Sequence, residues 1–119
     1  MILADTSIWI DHFKVPNLTV VRAIQNDQLS MHPFVVGELA LGSLGNRRKT
    51  LADLTKFIDA PVARVEQVQD LIERAMLFSR GLGYVDVHLL ASCLLAGNMR
   101  LLTRDKRLQA AAERLGISA

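Results

Sequence analysis

The chain has 119 residues, half of them hydrophobic, with 14 Lys and Arg against 12 Asp and Glu, a formal net charge of +2 and one cysteine. That length holds one domain with a real core and excludes two, while the slight basicity permits a polyanionic partner without marking a dedicated nucleic-acid tether. A single Cys93 excludes an intrachain disulfide and is the expectation for a reducing compartment.

Residues 2–4 form a short apolar run that ends in Asp5-Thr6-Ser7, three residues suited to starting a helix, so a strand followed by a helix is expected. The run breaks at Asp5 before an apolar signal-peptide core develops, and a cytoplasmic protein is expected. Residues 18–26 read as a helix, residues 29–32 as a strand stopped by Pro33, and residues 34–41 as a third helix. A glycine-containing loop at 42–45, an amphipathic helix at 49–58, a third strand at 61–65 and a long helix at 66–80 follow. Gly81 and Gly83 bracket a turn before a helix at 84–96, which Gly97-Asn98 stops. Residues 100–103 read as a fourth strand and 105–115 as the last helix, with Ile117 opening a possible edge strand. No apolar stretch reaches the ~18 residues that cross a bilayer. Strands alternating with helices at this spacing predict an α/β domain, a parallel sheet of four to five short strands covered by helices on both faces.

Asp86 is the unusual residue of this pattern. Helical spacing puts His88 and Ser92 on one stripe and lines Asp86 up with Leu90 and Cys93 on the apolar one. A lone carboxylate there is costly unless a cation or several donors meet it. In a parallel sheet, the carboxyl ends of the strands and the amino ends of the following helices share one edge, where ligands bind. Asp5 follows the first strand, Asp105 the fourth, Asp86 opens a helix and Glu38 lies early in the helix after the second strand. Each has a plainer reading: Asp5, Asp86 and Asp105 as helix caps, Glu38 as a solvated surface charge. Together they need an offset, because two carboxylates about 4 Å apart repel by about 4 kcal/mol at an effective dielectric near 20.

Hard oxygen donors on one rim suit Mg²⁺ or Mn²⁺. The three histidines show no paired spacing and one cysteine makes no thiolate site, which disfavours zinc. A hydrated Mg²⁺ held by carboxylates promotes in-line displacement at a phosphodiester. Phosphate-loop and dinucleotide fingerprints are missing, which removes nucleotide-cofactor enzymes.

The segments Ile2-Leu3-Ala4-Asp5-Thr6-Ser7-Ile8-Trp9-Ile10-Asp11, Glu38 in an apolar helix, Asp86 followed by Leu89-Leu90-Ala91, and Leu101-Leu102-Thr103-Arg104-Asp105 resemble, in order and spacing, the PIN-domain ribonucleases of the VapC toxin type. The resemblance covers the whole chain. It implies Mg²⁺- or Mn²⁺-dependent endonucleolytic cleavage of RNA at Asp5, Glu38, Asp86 and Asp105, with Asp5 and Asp86 as metal ligands and Ser7 and Thr103 in support. It also implies a cognate VapB-type antitoxin and a homodimer. The chain departs from many relatives at Leu108, where an aromatic residue is common, and this bears on packing.

Arg104, Lys106 and Arg107, beside Asp105, are candidates for RNA phosphate contacts. Arg47-Arg48-Lys49 reads equally well as a solvated helix end. Trp9 and Phe13, four apart, read as core or partner-binding residues rather than a base-stacking platform. Two other functions stay open: a PIN fold kept as a binding module without cleavage, and a phosphoacceptor signalling domain. Against the latter, Asp5 is followed by Thr6-Ser7 instead of a second acid.

Overall fold

The computed structural model describes residues 1–119. Its strands are β1 (Ile2–Ala4), β2 (Leu29–Met31), β3 (Ile58–Asp59) and β4 (Arg100–Leu102), and its helices are α1 (Thr6–Lys14), α2 (Leu18–Gln25), α3 (Pro33–Ala40), α4 (Arg47–Leu54), α5 (Val65–Arg74), α6 (Tyr84–Ala96) and α7 (Lys106–Arg114). All strand pairings are parallel, in the order β3-β2-β1-β4. Every residue of β2 is buried, as a strand covered on both faces requires. The expected α/β architecture is what forms, and Leu101 bridges Ser118 beyond β4, close to the anticipated edge contact at Ile117.

The chain leaves β1 on one side to reach β2 and on the other to pair with β4. That reversal opens a crevice at the carboxyl ends of β1 and β4, the usual binding place of an open parallel sheet. Register sets what stands there. Ala4 pairs with Leu102, so Asp5 and Thr103 leave their strands side by side, and the Asp5 N–H donates to the Leu102 carbonyl at 3.0 Å.

The core runs through Leu3, Leu29, Val35, Leu90, Leu101 and Leu108, each at most 2% exposed. Leu108 is fully buried at the position where the departure falls. Trp9 is also buried, tilted against Phe13 and Phe57, which makes it a core residue.

Three expected boundaries move. The third strand is not at 61–65 but at Ile58–Asp59, which takes its place by pairing with Ser30 and Met31 of β2. The helix expected at 49–58 therefore ends earlier, at Leu54. The helix expected to reach residue 80 stops at Arg74, because Met76 and Ser79 turn the chain through left-handed conformations with φ of 51° and 59°. The contrast between an apolar and a polar stripe on α6 also fails. Residues Val87 through Cys93 are all buried, and the Ser92 hydroxyl donates inward to the Pro61 and His88 carbonyls.

Candidate active site

Asp5 is the N-cap of α1 and is 5% exposed. Its Oδ1 accepts from the Ser7 hydroxyl at 2.6 Å and from the Ile8 N–H at 3.1 Å, and its Oδ2 accepts a very short hydrogen bond from the Thr103 hydroxyl. Thr103 is itself held, since its oxygen accepts the Asp105 N–H at 3.0 Å. Both supporting residues expected from sequence thus touch the first carboxylate.

Asp86 lies in the first turn of α6 and is half-buried. Its Oδ2 accepts the Gly83 N–H at 3.0 Å, leaving Oδ1 without a partner. A Cβ at Gly83 would stand 3.3 Å from that carboxylate oxygen, tighter than ordinary contact. Asp86 is therefore a local cap and an under-compensated charge at once. Burial pushes its carboxyl above the usual range, the Gly83 N–H opposes this, and the charges of Asp105, Asp5 and Glu38 add to the rise in that order. The four acids share one electrostatic neighbourhood.

Asp105 caps α7, its Oδ1 accepting the N–H groups of Arg107 and Leu108 at 2.9 and 3.2 Å. Glu38 is exposed on α3, and its Oε1 accepts the Thr6 hydroxyl at 2.6 Å. Thr6 was not singled out from the sequence, though it sits inside the Asp-Thr-Ser motif; only the fold shows that α1 faces α3.

Each of the four carboxylates has an oxygen fixed by neutral donors, and none of them forms an ion pair. Helix amino ends and hydroxyls orient these charges without cancelling them. They do not close into a cage either: no three His, Cys, Asp or Glu side chains stand together closely enough to hold an ion alone. Mg²⁺ does not require such a cage, since it keeps several waters and takes one or two carboxylates plus substrate phosphates. Asp5 and Asp86 are the more buried pair of the four.

The basic candidates separate. Arg104 pairs with Asp11 at 2.7 Å on the surface, both side chains staying largely exposed. Lys106 and Arg107 remain exposed at the start of α7. In the other cluster, Arg47 donates to the Ala40 and Gly42 carbonyls and Lys49 pairs with Asp53, so these residues brace a loop and a helix. Cys93 is fully buried and burial pushes its thiol up to about 12, which leaves it inert.

The family model described as the PIN domain matches residues 2–114. Ribonuclease VapC32 of Mycobacterium tuberculosis, in strains CDC 1551 / Oshkosh and ATCC 25618 / H37Rv, is 43% identical over 118 residues, covering 99% of this chain and 95% of the relative. The crystal structure of PAE2754 from Pyrobaculum aerophilum superposes with a TM-score of 0.66 at 17% identity, over 96% of this chain and 90% of that one. At that identity the likeness is one of fold.

Proposed function

This chain belongs to the PIN-domain family, to its VapC-type ribonucleases, and from that premise we propose that it is the toxin of a type II toxin–antitoxin pair, a divalent-metal-dependent endoribonuclease acting at Asp5, Glu38, Asp86 and Asp105. The observation that carries the site assignment is the set of four carboxylates, each oriented by donors and none paired with a cation. A bound Mg²⁺ or Mn²⁺ would supply charge neutralisation at the scissile phosphate and a more acidic water.

Asp5 and Asp86 are the metal ligands in this reading. Ser7 and Thr103 hold Asp5 in one orientation, so little reorganisation accompanies binding. Gly83 does the same for Asp86. Glu38 and Asp105 are exposed, with Oε2 and Oδ2 free to orient water or take up a proton. Lys106 and Arg107 draw the RNA backbone to an edge that would otherwise repel it.

A groove of about 290 Å³ lined by Ile10, Phe13, Glu38 and Leu39 among others opens beside the site and supports docking of a VapB-type antitoxin against it. A homodimer and a cytoplasmic location complete the reading; no helix is long and apolar enough to cross a membrane.

The test is cleavage of single-stranded RNA by the purified protein. Activity should require Mg²⁺ or Mn²⁺, vanish in excess EDTA and fall at least ~100-fold in Asp86→Asn, the scale of losing one preorganised electrostatic group. Full activity in EDTA or in the variant would refute the site.

A further inference from the structure

A second cluster of charge lies on the other side of Asp105. A cleft of about 390 Å³ is lined by Arg80, Arg107, Ala110, Ala111 and Arg114. It contains three guanidinium groups and no carboxylate, and none of the three arginines is ion-paired. On α7 the lining residues follow one helix face, with Arg107 and Arg114 about 10 Å apart along the axis and two small alanines between them. The alanines keep the floor open.

The arginines are held in place. Arg80 Nε donates to the Met76 carbonyl at 2.7 Å, and Arg114 Nη2 donates to the Ala75 carbonyl at 2.6 Å. Arg107 lies directly on Gly81, whose φ of +75° favours glycine and where any Cβ would collide with the guanidinium. The turn that brings Arg80 across to α7 also contains Met76 and Ser79 in left-handed conformations, an uncommon state for residues with a side chain. Local strain is thus tolerated where like charges are gathered. Guanidinium groups so arranged suit phosphate oxygens.

Both walls of the cleft continue into the acid site. The Arg107 N–H donates to Asp105, and Gly83, three residues beyond Arg80, donates to Asp86. A polyanion entering an edge of four carboxylates is repelled there and needs adjoining positive ground. We propose that the Arg80–Arg107–Arg114 cleft is a phosphate subsite for single-stranded RNA, holding backbone phosphates that flank the bond cut at the acidic edge. The proposal rests on the ribonuclease reading and adds Arg80 and Arg114 to it.

The experiment compares a short RNA that spans only the acidic edge with a several-fold longer one, using wild type, Arg80→Gln/Arg114→Gln and Arg80→Lys/Arg114→Lys. Binding of the long RNA is followed against salt in the Asp86→Asn background, and cleavage of both RNAs in the Asp86 background. Two lost phosphate contacts should lower the slope of log affinity against log salt by about 1.4, so that the affinity ratio between 0.1 M and 1 M salt falls about 25-fold. The lysine pair should restore most of the slope, and cleavage of the short RNA should not change. Arg80→Gln alone, which spares the Arg114 brace, should lose about half as much slope and serves if the double variant misfolds.

An unchanged slope with wild-type cleavage intact would overturn the subsite while leaving the ribonuclease reading standing. Equal losses on short and long RNA would also overturn it. Arginine-dependent binding of a polyglutamate peptide with no effect on RNA would assign the cleft to an acidic protein segment instead. If wild type cleaves neither RNA with Mg²⁺ or Mn²⁺, both readings fall.

Discussion

The Asp5 carboxylate at the end of β1 and the imidazoles of His32 and His88 are all polar groups withdrawn from water, and the chain treats them in opposite ways. His32 and His88 are buried, their Nε2 and Nδ1 atoms find no hydrogen-bond partner, and neither does the nearby-in-sequence Ser30 hydroxyl. Burial, helped by mutual repulsion with His88, brings His32 down to about 4, and burial also lowers His88. These rings avoid the cost of a buried charge by staying neutral. Asp5 is instead met by three donors, the Ser7 and Thr103 hydroxyls and the Ile8 N–H. Unpartnered polar atoms alone do not identify a site; charges that the fold preserves without neutralising are more informative.

Three predictions press on that difference. The largest concerns His32, whose proton affinity is lower folded than unfolded. The unfolded chain therefore binds more protons, and stability is fully present above pH ~6.5 and lost as pH falls toward 4. The loss should reach at most about 3 kcal/mol. His32 also caps α3 by accepting the Phe34 N–H, so His32→Asn keeps an acceptor while removing the titration. Denaturant midpoints measured between pH 7 and 4 should vary less in the variant than in wild type. Equal pH dependence would show that the neutral ring is not the source.

Thr103→Val tests the opposite treatment. It keeps the shape and removes the hydroxyl that donates to Asp5, a hydrogen bond to a charged group worth about 1.5–3 kcal/mol. The expected result is a loss of that size in urea unfolding together with weaker metal-dependent cleavage. Undiminished stability and cleavage would mean that Asp5 does not depend on this brace. The smallest effect is at Gly83, where an added Cβ crowds Asp86 Oδ2. Gly83→Ala should cost no more than about 1 kcal/mol, near the usual centre for single substitutions, yet weaken metal binding measurably.

Much of this site was legible because it is built from local motifs. Asp5 follows an apolar run and precedes a helix, Asp105 does the same, and parallel topology then brings their strand ends together. Local signals failed where tertiary structure decides. A two-residue β3 carries no periodicity and is defined only by its pairing with β2. The central helix α6 is covered on nearly all sides, so spacing could not tell that the His88–Ser92 stripe points inward. The end of α5 depends on Met76 in a left-handed turn, for which methionine gives no signal. Arg80 and Arg114 lie far apart in sequence and share a cleft only after α7 folds against that turn.

Calorimetric titration of Mn²⁺ into wild type and Asp86→Asn tests most directly whether the four uncompensated carboxylates are a metal site. Wild type should bind Mn²⁺, and the variant should bind at least ~10-fold more weakly, the scale for losing about 1.4 kcal/mol of interaction, while melting no lower than wild type in the absence of metal. Equal Mn²⁺ affinity in the two proteins would contradict the account.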